Sequence, residues 1–175
     1  VNVAGGFDGS FDPTTRDGTA NTTAIVGSVT QEVVQVLTGP NDGSLDGVVV
    51  DGDHTVLNGV HVVDGDLVLR NCTVRNCADR GVKARATTPT PNRHLTLIGS
   101  TITGNASDGL GTSGPIDIRI DLCDLSANGQ EGADIDNLDY VPDAKGQAAV
   151  DGQGHYHVNI NGVYVAAPVA LYYEY

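Results

Sequence analysis

The sequence lacks tryptophan and methionine, and only 9 of its 175 residues are lysine or arginine. Because the net charge is -13, long-range repulsion disfavours binding to nucleic-acid phosphates or to an anionic membrane surface. No apolar run approaches the ~20 residues that a membrane-spanning helix needs, so we expect no membrane insertion. The three cysteines are an odd number, which argues against a disulfide framework.

The residues that are abundant are valine, threonine, glycine and aspartate. The chain has 19 aspartates against 3 glutamates, and eight Asp-Gly and three Asn-Gly pairs account for much of this excess. Such pairs form turns because both of their residues tolerate positive φ angles. This composition predicts an all-β protein with many short strands.

Three segments of the chain align with one another without gaps, at residues 67–74, 95–102 and 118–125. A glycine followed by an apolar-x-small pattern also recurs, at Gly59, Gly81, Gly109 and Gly132, with spacings of 22, 28 and 23 residues. Each unit is too short to bury its own apolar face. The repeats therefore predict a solenoid in which equivalent coils stack on one another.

The alignment also places small residues in common columns. Cys72, Ser100 and Cys123 share one column, and Cys77 shares another with two asparagines, Asn105 and Asn128. Two coils at ~4.8 Å per coil would hold Cys72 too far from Cys123 for a disulfide bond. We therefore expect interior ladders of small side chains with unreactive thiols.

We predict three regions along the chain. Residues 1–44 would be an N-terminal arm and a capping segment, with a helix over residues 22–38 that covers the open end of the solenoid. Residues 45–137 would form a parallel β-helix of about four coils. Residues 138–175 would contain a linker, a hairpin of strands 155–160 and 163–165 around an Asn-Gly turn, and a strand at 169–175 that pairs with this hairpin or with a neighbouring subunit.

The repeat pattern resembles the right-handed parallel β-helix of the pectate-lyase-like superfamily. The segment Asp17-Gly18-Thr19-Ala20-Asn21-Thr22-Thr23-Ala24-Ile25 is similar to the opening motif of many bacteriophage tailspike and secreted β-helix proteins, in which it leads into a capping helix. The alanine-rich helix and the Gly-Gly-Thr-Val-Tyr strand that usually follow are absent from this sequence. The superfamily includes polysaccharide lyases, glycoside hydrolases, uronate epimerases and structural parts of virions, so the resemblance implies a fold and leaves the function open.

Four charged residues are the candidates for a chemical site. Alternation along the strands after the glycines places Lys83 and Arg85 on the same outer sheet as Asp134 and Asp136, and the small residues of the 111–113 segment between them predict a shallow trough that could seat a sugar. The two aspartates could hold Ca²⁺ through oxygen ligands, and Lys83 or Arg85 could abstract a proton in a β-elimination. The alternative interpretation is an ordinary charged, solvated sheet surface.

Because no carboxylates converge, a non-catalytic role is the leading hypothesis. We expect a virion structural protein, a phage tail-tip or capsid-decoration component, that forms a homotrimer, contacts other virion proteins and needs no cofactor. The alternative is a secreted polysaccharide lyase, hydrolase or epimerase that uses the outer sheet of the solenoid. A third hypothesis is a carbohydrate-binding or adhesive module that binds cell-surface polysaccharide without turnover.

Overall fold

A computed structural model describes residues 2–6, 16–17, 21–28, 31–37, 43–87, 93–114, 116–136, 149–150, 156–157 and 171–174, with the backbone alone from residue 136 onward. Within these residues the structure has 17 strands: β1 Asn2–Ala4, β2 Thr23–Val26, β3 Glu32–Val36, β4 Gly43–Asp46, β5 Val48–Asp51, β6 Asn58–Val63, β7 Leu67–Arg70, β8 Thr73–Arg75, β9 Val82–Arg85, β10 Arg93–Ile98, β11 Thr101–Thr103, β12 Leu110–Ser113, β13 Ile116–Asp121, β14 Ala133–Asp136, β15 Ala149–Val150, β16 Tyr156–His157 and β17 Leu171–Glu174. The described residues contain no helix, and therefore no helix that could cross a membrane.

The chain visits three parallel sheets in turn. Sheet A has the order β1-β4-β7-β10-β13, sheet B has the order β2-β5-β8-β11, and sheet C has the order β3-β6-β9-β12-β14-β17. Up to β13, each strand pairs with the strand three elements earlier, because the chain completes one coil between them. The architecture is therefore an all-β parallel solenoid of about four coils, as the repeats predicted.

The register between coils is the one that the sequence alignment predicted. In sheet A, Leu95 pairs with both Leu67 and Ile118. In sheet C, Leu110 pairs with Val82 on one side and with Ala133 on the other. The repeated glycine elements are therefore stacked one above the next, and each residue contacts its own equivalent in the neighbouring coil.

Apolar side chains at equivalent positions fill the interior. The buried columns are Leu45, Leu69, Leu97 and Ile120 in sheet A, Val50, Val74 and Ile102 in sheet B, and Val60, Val82, Leu110 and Ala133 in sheet C. No member of these columns is more than 4% exposed. Complete burial of an aliphatic side chain contributes about 1.5–3 kcal/mol. This continuous core is therefore the main source of stability.

The predicted cysteine and serine column is confirmed. The backbone N–H of Cys72 donates to Ser100 Oγ at 3.2 Å, and the backbone N–H of Ser100 donates to Cys123 Sγ at 3.5 Å. Both cysteines are free thiols. Burial raises the pKa of each thiol above its ordinary value of 9.0, so both stay protonated at neutral pH.

The predicted asparagine ladder is also confirmed. Asn105 Oδ1 accepts a hydrogen bond from the backbone N–H of Cys77 at 3.1 Å, and Asn105 Nδ2 donates to Asn128 Oδ1 at 2.9 Å. Burial raises the pKa of Cys77 to about 12. The ladder satisfies buried polar groups along the solenoid axis, which an apolar column at this corner could not do.

The helix predicted over residues 22–38 is wrong. Within that range, β2 and β3 pair in parallel with β5 and β6. The spacing of the valines and isoleucine fits a helix, but β-branched side chains favour a strand where a neighbouring strand edge is available. A Cβ at Gly27 would overlap Val56 Cγ2, which places this backbone directly against the adjacent coil. Two strands of the solenoid therefore lie where the capping helix was expected.

Part of the predicted N-terminal arm belongs to the solenoid. β1 pairs in parallel with β4 in sheet A. Nearby, Arg16 Nε donates to the carbonyl oxygen of Gly5 at 2.8 Å, and Arg16 Nη1 lies 3.0 Å from Asp46 Oδ2. Residues 7–15 and 18–20 of the predicted arm lie outside the described residues.

The C-terminal strand is present, and within the chain it pairs with a strand that the sequence did not predict. β17 pairs in parallel with β14 and extends sheet C, and it does not share a sheet with β16 of the predicted hairpin. Pairing with a neighbouring subunit stays a prediction. Of the predicted hairpin, Tyr156–His157 forms β16, which pairs antiparallel with β15. Its Asn-Gly turn at residues 161–162 lies outside the described residues.

The corner between sheets A and B turns through one left-handed residue in four successive coils, after β4, β7, β10 and β13. The equivalent residues Gly47, Asn71, Gly99 and Leu122 have φ angles of 66°, 50°, 56° and 53°. Glycine and asparagine tolerate this conformation, whereas for other L-residues it costs roughly 1–2 kcal/mol. Leu122 is also 81% exposed, so little burial compensates for the strain.

We predict that Leu122→Asn stabilises the protein by about 1 kcal/mol, because asparagine relieves the left-handed strain without loss of buried surface. Urea unfolding would measure this as a higher midpoint at an unchanged slope. The control is Leu57→Asn, since Leu57 is 46% exposed and is not among the described residues with positive φ. An equal gain from the control, or a loss at position 122, would contradict the strain at this corner.

Candidate functional site

The four candidate site residues lie on two adjacent columns of sheet C. Lys83 pairs with Gly111, which pairs in turn with Asp134 on β14. Arg85 and Asp136 occupy the neighbouring column, with one strand between them. The basic and acidic pairs are thus on the same sheet and two strands apart, as the alignment predicted.

The space above Gly111 is occupied by the side chain of Arg80, so the open trough expected there is absent. A Cβ at Gly111 would overlap the Nε and Cδ atoms of Arg80. Arg80 Nε donates to Asp108 Oδ2 at 2.7 Å, and Arg80 Nη2 lies 3.5 Å from Asp134 Oδ2. The missing side chain at position 111 therefore makes room for a guanidinium that bridges three coils.

Asp108 is the buried centre of this arrangement. Its side chain is 1% exposed, and Oδ1 accepts a hydrogen bond from the backbone N–H of Glu131 at 3.3 Å. We call Arg80, Asp108, Glu131 and Asp134 the Arg80 cluster. An ionised carboxylate at this depth requires a cationic partner, because an unpaired buried charge is strongly destabilising.

The environment separates the pKa values of the two neighbouring carboxyl groups. Burial would raise the pKa of Asp108, but hydrogen bonds from Arg80 and Glu131 outweigh it and hold the pKa below 3.8. The hydrogen bond with Asp108, then burial, then the negative charges of Asp108 and Asp134 raise the pKa of Glu131 above 4.5. Burial would lower the pKa of Arg80, but the hydrogen bond to Asp108 and the negative charge of that carboxylate outweigh it and raise the pKa above its ordinary value.

The chemistry available here differs from that expected for the four candidates. Asp134 has the guanidinium of Arg80 beside it at 3.5 Å, where a Ca²⁺ ion would need the same carboxylate oxygen. Within the described residues, no group of three or more histidine, cysteine, aspartate or glutamate side chains is arranged to hold a metal ion. The geometry brings together an acid–base pair of carboxyl groups and a fixed cation, with Lys83 half-buried on the neighbouring strand.

A hydrogen-bonded pair of side chains lies toward the N-terminal end of the same sheet. His61 Nδ1 lies 2.9 Å from Glu32 Oε1, and both side chains are mostly buried. His61 pairs in register with Lys83, so it continues the column of the candidate site. Polar side-chain contacts between coils therefore occur at both ends of this outer sheet.

Sequence reasoning missed Arg80, Asp108 and Glu131, although a signal for them was present. Each immediately precedes one of the repeated glycines, so the three residues share a column. The backbone confirms the column, since Gly81 N–H donates to the carbonyl oxygen of Asp108, and Gly109 N–H to that of Glu131. An arginine above two acidic residues in one column of a parallel solenoid predicts an ion pair between coils.

Comparisons with known proteins give no further indication of what this site does. No family model, no curated protein and no solved structure matches the chain.

The Arg80 cluster predicts a specific dependence of stability on pH. Because the folded pKa of Asp108 is lowered, its contribution is present above pH 3.8 and is lost as the pH falls through the folded value. The raised pKa of Glu131 has the opposite sign: its contribution is present below pH 4.5 and is lost as the pH rises through the folded value. We therefore expect Glu131→Gln to raise the thermal midpoint at pH 7 and to leave it unchanged near pH 3.5.

A control substitution, Gln130→Glu, alters charge next to the cluster without entering it. Equal midpoints for Glu131→Gln and wild type at pH 7 would refute the coupling.

The position of Arg80 over Gly111 can be tested directly. We predict that Gly111→Ala destabilises the protein by about 1–3 kcal/mol, because the added methyl group displaces Arg80 and leaves Asp108 buried without its partner. Ser113→Ala, on the same strand and in the adjacent outward column, should change stability by less than about 0.5 kcal/mol. Chemical denaturation of both variants checks this. A neutral or stabilising Gly111→Ala substitution would place the guanidinium elsewhere.

Proposed function

We propose that the protein is a non-catalytic structural module of a virion, a phage tail-tip or capsid-decoration component, in which the solenoid acts as a rigid spacer. The observation that carries the proposal is the use of charged side chains to join coils. Arg16 pairs with Asp46 at 3.0 Å, Arg75 with Asp51 at 2.8 Å, and Arg80 with Asp108 at 2.7 Å. Each pair joins different coils, and such cross-coil contacts suit a rigid structural element.

A structural role also agrees with the distribution of the candidate residues. A catalytic site needs a nucleophile, an acid or a base that converge on a space where a reacting atom can sit. On sheet C that space, above Gly111, is filled by Arg80. The resemblance of residues 17–25 to tailspike openings supports a virion location, and the net charge of -13 favours partners other than nucleic acid. The partners would be copies of the same chain, in a homotrimer, and other virion proteins.

One observation favours the alternative, a secreted polysaccharide-processing enzyme. Two adjacent carboxyl groups with pKa values pushed in opposite directions are the arrangement from which acid–base catalysts are built. Asp108 and Glu131 have this property, and Lys83 lies on the same sheet. In an enzyme, Glu131 would be the proton donor and Asp108 the ionised partner.

Two measurements together distinguish the proposals. We expect no product from the purified chain on polygalacturonate, alginate or neutral glucans, with calcium or with EDTA. We also expect the chain in density-purified particles from the host that carries the gene, and a mass near three times 18.0 kDa by light scattering. Product formation that is lost in Asp108→Asn and kept in Gln130→Glu would establish the enzyme. Absence from particles, or a monomer at high concentration, would contradict the structural role.

A further inference from the structure

A groove lies at the corner between sheets A and B, and none of the predicted site residues lines it. Its volume is about 670 Å³, within the ~300–1,000 Å³ of small-molecule sites. We call it the corner groove; its lining residues are Arg16, Asp17, Asp46, Gly47, Asn71, Cys72, Thr73, Gly99 and Thr101. None of these belongs to the Arg80 cluster or to the four candidates of sheet C, so the groove is a separate site.

The groove exists because the corner residues are small and left-handed. Gly47 and Gly99 have φ angles of 66° and 56° and carry no side chain, so the corner is recessed at these two coils. Between them, Asn71 is also left-handed, and its Oδ1 lies 2.9 Å from where a Cβ of Gly99 would be. The floor therefore consists of backbone and one amide side chain. The backbone N–H groups of Gly47, Asn71 and Gly99 already donate to carbonyl oxygens of the next coil, and Asn71 Nδ2 donates to Asp46, so the group of the floor that can accept from a ligand is Asn71 Oδ1.

The charged residues of the rim are arranged in advance. Asp46 Oδ2 lies 3.0 Å from Arg16 Nη1, and Asp46 Oδ1 accepts from Asn71 Nδ2 at 3.3 Å. Burial would raise the pKa of Asp46, but these hydrogen bonds and the guanidinium charge hold it below 3.8. A cationic ligand would have to compete with Arg16 for this carboxylate. An anionic ligand would meet the two carboxylates of Asp46 and Asp17.

Two threonines form the wall on the sheet B side. Thr73 and Thr101 pair in register on β8 and β11, and the residues after them, Val74 and Ile102, point into the core. The two hydroxyl groups are therefore directed outward at the ~4.8 Å spacing of adjacent strands. A hydroxyl group both donates and accepts, so such a pair matches a ligand whose own hydroxyls do the same.

We propose that the corner groove binds a neutral polyhydroxylated ligand, with the chemistry of hexose or pentose units in an uncharged polysaccharide. Thr73 and Thr101 would contact ligand hydroxyls on one side, and Asn71 with the peptide groups of Gly47 and Gly99 would form the floor. The groove would bind such a ligand whether or not the protein is part of a virion.

The test is a titration of the ¹⁵N-labelled full chain with cello-, malto- and xylo-oligosaccharides, followed by NMR. We expect at least one of these neutral probes to shift the amide resonances of Gly99, Thr73 and Thr101. Joint replacement by Thr73→Val and Thr101→Val removes both hydroxyls without a change of volume and should weaken binding at least tenfold. The control is Thr103→Val, on the same face of β11 and outside the groove lining, which should leave the affinity unchanged.

Three results would overturn the proposal. The first is the absence of shifts at the groove with all three neutral probes at millimolar concentration. The second is binding that the double threonine variant retains in full. The third is tighter binding of oligogalacturonate or spermidine than of every neutral probe, which would make the site one for an anion or a cation.

Discussion

In-register pairing between successive coils is the constraint on which the rest of the structure depends. In a parallel solenoid each residue lies ~4.8 Å from its equivalent in the next coil, so a side chain must suit its own column as well as its own strand. Apolar columns then join into one core, and polar columns must satisfy their own hydrogen bonds, as Asn105 and Asn128 do. The same rule leaves little freedom for charge, because like charges in one column repel each other.

Arg80, one of the few cationic residues of this acidic chain, offsets such repulsion at one column of sheet C. Arg80 lies next to Asp108 and Asp134, which come from two different coils. Exposed ion pairs contribute little, at most about 1 kcal/mol. Asp108 is different because it is buried, and removing its partner would leave a desolvated charge. This explains why a glycine at position 111 matters: it is the space that the guanidinium needs.

Some features were predictable and others were not, for identifiable reasons. The stacking of Leu67 on Leu95, and of Cys72 on Ser100, follows from repetition, which depends only on the order of residues. The segment 22–38 was misread because its valines fit both a helix and a strand, and the choice was made by the free edges of β5 and β6. For the candidate site, the columns were predicted, but the direction of the long Arg80 side chain was not.

The sequence by itself determined the solenoid, its register and the identity of its interior ladders, because stacking repeats is the way in which such short units bury their apolar faces. Only the tertiary structure decided which charges meet and where the surface is recessed. Arg80 could have extended into solvent, and the corner beside Thr73 could have been closed by a side chain reaching across from another coil. Contacts of long side chains between coils depend on three-dimensional directions that no linear pattern encodes.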